Sequence, residues 1–565
     1  MEQKRLLLAI GLSFLVFFLW SISFGPKPQE KKATPEEQAE APVTAPTKEV
    51  AVAEHPATVA TPGETTATAD APAADSDGQA ATAVIERPGR SITVETPLYR
   101  IQLSEKGGAV VSMVLKKYRE TVKKDSPNKE IVSPELKDGT VLLSLTAFGK
   151  KALEKGIYTA DTQENQLTVE NASRSLQFRH DLGNGSSVVK TYHFDPDRYV
   201  IDLDITVQNG SDQAVNTGIE VGLLDAVDKG KSVYGFTGPS GLINEKLERV
   251  KVKDIKEKSE LSGSLRWVAT ERLYFISSIM SKEAIQGRMM LTEKDNIIEN
   301  QLVTDGHEFA PGESYTWHLS LFMGPKSLSL LKSVGNELDR AIDFGWVDII
   351  AKPCLWFMNF IYRFIPNYGI AIIILTIITR MMFWPLATKS YKSMNDMRKL
   401  QPLMKELREK YKDDKARMNQ ETMALYKTYK INPMGGCLPM VIQLPVFFAL
   451  YRMLYQAIEL RHAPFFGWIN DLSAPDRLFE FGFKIPFMEA PYGIPVLTLI
   501  MGATMLLQQK MSPAPGDPTQ AKMMMLMPIV FTFIFINFPS GLVLYWLISN
   551  LVSIAQQYYT LKKLA

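Results

Sequence analysis

The chain has 565 residues, a formal net charge of +2 and only two cysteines, Cys354 and Cys437. That length allows more than one domain. The balanced charge gives no global reason to expect nucleic-acid binding, and two cysteines are too few for a disulfide framework or a thiolate metal site.

Lys4 and Arg5 precede Leu6 to Phe24, a run of 19 residues without a charge. As a helix it would extend about 29 Å, close to the ~30 Å of a hydrocarbon core. Residues 1–25 are therefore expected to form a transmembrane anchor. A cleaved signal ending near Ser21-Ile22-Ser23 is the alternative, and both readings export the chain beyond it. Residues 26–90 are rich in Ala, Pro, Thr and Glu and contain neither an aromatic residue nor a leucine. They cannot bury enough apolar area to offset chain entropy, so they read as a disordered, extended tether.

Residues 91–340 read as an exported all-β domain. Ile201 to Gln208 alternates apolar and polar residues strictly and ends at Asn209-Gly210, the pattern of a half-buried strand. Gly183-Asn184-Gly185 reads as a hairpin turn. Ser91–Val94, Tyr99–Leu103, Val110–Leu115, Val141–Leu145 and Tyr315–Phe322 are further candidate strands, and a β-sandwich is the expected architecture. His180, His193, His307 and His318 stand at no ligand-like spacing and read as strand or surface residues. The domain shows no catalytic constellation, and no metal or cofactor site is expected.

Residues 350–366 form an expected interfacial amphipathic helix, with Asn359 and Arg363 four apart on one face. Residues 367–565 read as a five-helix core, with spans near Tyr368–Leu386, Met434–Ala457, Pro491–Gln509, Met523–Phe538 and Leu542–Tyr559. With the anchor this makes six transmembrane helices. Thr388 to Ile431 holds 12 Lys/Arg against 6 Asp/Glu. By the positive-inside rule this segment is cytoplasmic, as are both termini, and the β-domain lies outside the membrane on the other face. The spacing within 388–431 predicts a helical hairpin joined at Asp413-Asp414. Its apolar face would carry Met394, Met397, Leu400, Met404 and Leu407. A basic arm of this kind suits anionic lipid, ribosomal RNA or an acidic protein, and the residues do not choose among them.

Arg380 is the only charge between Ile370 and Phe383. Nine residues before Lys389, it would lie about 13 Å inside the cytoplasmic boundary. A guanidinium there costs ~2.5–3.5 kcal/mol on insertion scales, and none of the spans offers an Asp or Glu deep in its core. The expectation is a hydrated cavity open to the cytoplasm. Thr376, Gln443, Ser549, Asn550, Ser553, Gln556 and Gln557 could line it. Interhelical hydrogen bonding is the other use for such groups. Arg452, one turn from the outer end of its span, is expected to snorkel. Met523–Phe538 would reach only about 24 Å as a helix, short enough to thin the bilayer locally.

Four stretches carry a family resemblance. They are Ile377-Ile378-Thr379-Arg380, Asn432-Pro433-Met434-Gly435-Gly436-Cys437-Leu438-Pro439, Gln443-Leu444-Pro445 and Phe538-Pro539-Ser540-Gly541-Leu542. In these, and in its whole layout, the chain resembles the YidC family of membrane protein insertases in its long Gram-negative form. The resemblance implies a periplasmic β-supersandwich and a non-enzymatic insertase and chaperone of the bacterial inner membrane. It implies a substrate groove with Arg380 inside, and a slide for the apolar helix of the substrate along the third and fifth spans, at Leu444, Phe447 and Phe531. Its implied partners are nascent membrane proteins, the ribosome and targeting machinery, the Sec translocon and the lipid bilayer, with no small-molecule substrate. Many members end in a longer basic tail, whereas only Thr560 to Ala565 follows the last span here, which puts tail-mediated ribosome contact in doubt. A secondary transporter is the main competing reading. Its usual internal repeats are absent from the sequence. An enzyme acting through the β-domain would need a paired-carboxylate or Ser/His signature, which the chain does not display.

Overall fold

Alternating side chains build the first half of the molecule. In the strand Val200–Gln208, Ile201, Leu203, Ile205 and Val207 are buried, while Asp202, Asp204 and Thr206 lie on the wetter face. This strand sits between two antiparallel neighbours, Ser186–Phe194 and Ser314–Pro325, with Asp204 opposite Thr191 on one side and His318 on the other. The computed structural model of the chain describes residues 89–147, 153–227, 235–429, 438–512 and 518–564. The expected anchor, nearly all of the tether, and Asn432 to Cys437 lie outside the described residues.

Among the described residues the strands form a 12-stranded sheet, a 5-stranded sheet and two 2-stranded pairs. The 5-stranded sheet contains Ser91–Glu95, Tyr99–Ser104 and Ala109–Arg119 in consecutive antiparallel register. The expected hairpin turn joins Arg174–Gly183 to Ser186–Phe194. Gly183, Asn184 and Gly185 there have φ of 85°, 52° and 75°, a region that glycine and asparagine enter at low cost. Trp267, Tyr99, Tyr192, Phe178 and Phe322 fill the core between the layers. The four histidines lie on strands or bond locally. His193 and His318 both contact Asp204, His180 contacts the Ile157 carbonyl, and His307 contacts Glu313.

A short helix, α1 (Leu328–Val334), leads to α2 (Asp348–Phe364), the expected amphipathic helix shifted by two residues. Ala351, Leu355, Met358 and Ile361 are buried, while Trp356, Phe360 and Phe364 on the other side are exposed. After a turn, the Asn367 side chain caps α3 (Tyr368–Met382) by accepting from the Ile370 N–H at 3.1 Å, as an N-cap asparagine does.

The helical stretch after Arg380 differs from the two-helix expectation. It forms three helices, α4 (Trp384–Lys399), α5 (Gln401–Lys410) and α6 (Lys415–Thr428). Pro385 follows Trp384 where the chain bends by 63° between α3 and α4. Pro402 sits in the first turn of α5, and the helix breaks at Leu400 ahead of it; proline has no N–H and crowds the preceding turn. The remaining helices among the described residues are α7 (Leu438–Gln456), α8 (Val496–Met511), α9 (Pro518–Phe535) and α10 (Ser540–Leu564). Helix α8 begins five residues later than Pro491, because Tyr492–Ile494 pairs with Leu478–Phe481 as a small hairpin. Among the described residues no single helix is long and apolar enough by itself to cross a membrane. Helices α3 and α4 pass that test only as a bent pair.

Arg452 does not reach outward for solvent. Its Nη1 donates to the Phe344 carbonyl at 2.7 Å, tying α7 to the segment that leaves the β-domain. Two further links cross the same junction. Arg461 Nη2 donates to the Arg119 carbonyl at 2.7 Å, and Ser327 donates to the Glu459 carboxylate at 3.1 Å.

Candidate functional site

Helices α3, α7 and α10 bring one cation and two neutral polar groups together. Arg380, in the last turn of α3, donates from Nε to the Ser549 hydroxyl on α10 at 2.8 Å. Nη1 donates to Oε1 of Gln443 on α7 at 3.0 Å, and Nη2 also donates to Ser549. Arg380 forms no ion pair with a carboxylate among the described residues. A guanidinium carries five donors in a rigid fork and cannot shed its proton. Held by a hydroxyl and an amide oxygen, it keeps its full positive charge.

The other residues of the expected polar stripe divide among different neighbours. Thr376 is buried, and its hydroxyl donates to the Ile372 carbonyl within α3 at 2.6 Å rather than engaging the Arg380 guanidinium. Asn550 donates to the Thr504 hydroxyl on α8 at 3.3 Å. Ser553 donates to the Ser549 carbonyl one turn earlier at 2.8 Å. Gln556 Nε2 donates to the Trp384 carbonyl at 2.9 Å and to Thr388 at 3.3 Å, fastening α10 to the start of α4. Gln557 is buried, and its Oε1 finds no hydrogen-bond partner among the described residues. Of the stripe, then, only Ser549 joins Arg380 and Gln443. Four partners escaped notice in the sequence: Thr504, Trp384, Thr388 and Tyr391, whose hydroxyl reaches the Ser553 carbonyl at 3.5 Å. Trp384 takes part through its carbonyl, which no residue type can signal.

Two of the apolar candidates, Leu444 and Phe447, share α7 with Gln443. Phe447 packs edge-on against Trp546 with ring centroids 5.2 Å apart, and Leu444, one residue after Gln443, is exposed. Phe531 lies half-buried on α9, 6.2 Å from the ring of Phe535. Around it α9 exposes Leu526, Met527, Ile529, Val530 and Phe533. An apolar surface of that extent is rare on a protein surrounded by water.

Among the described residues no group of histidine, cysteine or carboxylate side chains could hold a metal ion. The arrangement offers no nucleophile beside a base. What it can do is present a fixed positive charge and hydrogen-bonding groups next to apolar walls.

Residues 360–565 match the model of the 60Kd inner membrane protein family, and residues 91–357 match the YidC periplasmic domain. The chain is 44% identical to a membrane protein insertase YidC of Syntrophus aciditrophicus, over 84% of this chain and 85% of that one. It is 40% identical to that of Pelobacter propionicus, over 99% of this chain and 98% of the relative. These relatives are named as insertases, not as enzymes. Among solved structures, an active YidC insertase with its first transmembrane domain resolved matches at 20% identity and a TM-score of 0.36, over 84% of this chain and 93% of that one. A galactose mutarotase related enzyme from Lactobacillus acidophilus matches at a TM-score of 0.29 and 11% identity, over 41% of this chain and 97% of that one. At those scores neither likeness carries an argument. The two matched families cover all but two residues of the chain from Ser91 to Ala565, and with relatives aligned over nearly their whole length they show that it belongs to the YidC family of membrane protein insertases.

Proposed function

We propose that this insertase moves short hydrophilic segments of newly made membrane proteins into a water-filled groove around Arg380, while the adjoining apolar helix enters lipid beside Leu444, Phe447 and Phe531. The supporting observation is the fork of Arg380 satisfied by Ser549 and Gln443 and not by a carboxylate. A cation paired with an Asp or Glu would be neutralised. One bonded to neutral groups retains its field and attracts an acidic tail.

In this reading the anchor, at residues 1–25, and the five-helix core give six membrane crossings. The bent pair α3–α4, the apolar surface of α9 and the basic segment 388–431 support the placement of that segment as a cytoplasmic hairpin. The β-domain, residues 91–340, lies in the periplasm at the end of the tether. Thr376, Asn550, Ser553 and Gln556 belong to the walls of the groove, which opens toward the cytoplasm. The hairpin receives ribosome-bound chains and targeting factors, and the protein acts alone or beside the Sec translocon.

The test is insertion into proteoliposomes. Arg380→Ala should weaken insertion of substrates with acidic tails several-fold, while Arg380→Lys should retain most of it. Equal insertion by the wild type and Arg380→Ala would remove the role assigned to this residue.

A further inference from the structure

The segment between α7 and α8 ends in a tip that exposes three phenylalanine rings, Phe479, Phe483 and Phe487, at 70%, 64% and 89%. An apolar ring left in water is unfavourable, and two of these positions carry a second cost. Phe479 and Phe487 have φ of 56° and 63°, a left-handed conformation that is strained for a bulky residue.

The tip is nevertheless held firmly. Phe479 stands at the irregularity of the small hairpin, where Leu478 pairs with Ile494 and Glu480 with Gly493. A Cβ on Gly493 would collide with the Phe479 carbonyl, so glycine permits the outward kink. The Asn537 side chain donates to the Phe487 carbonyl at 2.9 Å and accepts from the Glu489 N–H at 2.9 Å. Arg477 donates to the carbonyls of Pro491 and Ile536. The backbone is thus fastened to the end of α9 while the rings point away from the protein.

The root of the same segment touches the turn where α2 gives way to α3. Phe465 packs so closely on Gly369 that a Cβ there would overlap its ring, and the neighbouring Phe466 is exposed.

We propose that the Phe479–Phe487 tip is a lipid anchor that inserts into the interfacial region of the outer leaflet. It would hold the outer ends of α7, α8 and α9 at a fixed depth. Lys484 and Glu480 alternate with the rings in sequence, so the tip stops at the headgroup–acyl boundary, where apolar rings enter the acyl region and charges still reach water. The proposal rests on the membrane topology given above.

The experiment uses the full chain in proteoliposomes, with Cys354→Ser and Cys437→Ser as background. Single nitroxide labels go on Phe479→Cys, Phe483→Cys and Phe487→Cys, with Phe533→Cys on α9 as the acyl reference. Asp181→Cys, on an exposed strand end of the β-domain, is the aqueous reference. Collision with oxygen and with a water-soluble nickel chelate reports depth. The tip labels should be protected from the chelate at least threefold relative to position 181. Chelate access equal to that at 181, with 533 still protected, would overturn the lipid anchor and leave the insertase reading standing. Full chelate access at both the tip and 533 would overturn the topology as well. Because all three rings are exposed, their replacement leaves the core contacts intact. Phe487→Trp provides a label-free check against the eight native tryptophans: quenching by lipids brominated near the headgroup should exceed that of the wild type, and no excess counts against the anchor.

Discussion

The Nε of Arg380 lies 2.8 Å from the hydroxyl of Ser549, a residue 169 positions later in the chain. That one oxygen also receives Nη2, so it accepts two of the five donors of the guanidinium. Ser549→Ala should therefore leave two donors without their partner. We expect a loss of about 1–3 kcal/mol in stability and a several-fold drop in insertion of acidic-tailed substrates. Ser549→Thr, which keeps the oxygen, should restore most of both. Thermal unfolding in detergent and proteoliposome insertion check this, and an unchanged melting temperature for Ser549→Ala would count against it.

Gly502 on α8 packs against Thr532 on α9 so tightly that an added Cβ would run into the threonine side chain. On an open helix, glycine to alanine gains about 1 kcal/mol. Here the collision reverses the sign, and Gly502→Ala should cost about 1–3 kcal/mol as an overpacked contact. The double variant Gly502→Ala with Thr532→Ala should recover most of that loss. Denaturant titration of the four proteins measures the coupling, and simple additivity would show that the contact is not close.

Glu459 follows α7 at the junction with the β-domain and accepts hydrogen bonds from Ser327 and Asn359, at 3.1 and 3.4 Å. Burial pushes its carboxyl above the usual range, and the two hydrogen bonds pull it partly back. Lys326 lines the same cavity, but its Nζ is bonded to Glu271 at 2.7 Å. Between the unfolded and folded values the native state binds more protons, so stability at the junction falls as pH rises through that window. Glu459→Gln should remove this slope and raise the melting temperature at neutral pH. A slope as steep in the variant as in the wild type would assign the pH dependence to another group.

Lys190 is fully buried in the β-domain, with its ammonium donating to the carbonyls of Gly107, Gly108 and Val141 at 3.3, 2.7 and 2.9 Å. Burial pushes it down to about 7 from 10.5. For a lysine lowered in this way, the unfolded chain holds the extra proton between those two values. Stability of the domain should rise with pH across that interval and stay flat below it. Lys190→Met should abolish the rise and, at pH 6, destabilise by about 1–3 kcal/mol through the Gly107 and Val141 carbonyls that lose this donor, while the Gly108 carbonyl keeps the Tyr192 hydroxyl. Thermal unfolding of the full-length protein from pH 6 to 9 separates the two effects.

Much of this molecule was legible from local pattern. The alternation at Ile201–Gln208, the turn at Gly183-Asn184-Gly185 and the lone charge of Arg380 each depend on a few neighbouring residues, and period 2 or 3.6 converts them directly into a face. Pro402 also spoke locally, although the run of methionines and leucines across it suggested one unbroken helix. The expected start of the fourth span at Pro491 failed for a different reason. Tyr492–Ile494 is claimed by pairing with Leu478–Phe481, a contact that composition does not express.

That Arg380 would lie without a nearby carboxylate was already written in the residue types, since the helices around it contain none in their cores. Which polar groups bond to it was settled by packing: Ser549 and Gln443 meet the guanidinium, while Thr376 and Asn550 bond to Ile372 and Thr504. Packing likewise took Arg452 away from solvent and onto the Phe344 carbonyl. The physical reason is rotational. A helical period says which residues share a stripe, but the direction of that stripe is set by how each helix rolls against its neighbours. That roll is decided by close fits such as Gly369 on Phe465 and Gly502 on Thr532, between residues far apart in the chain.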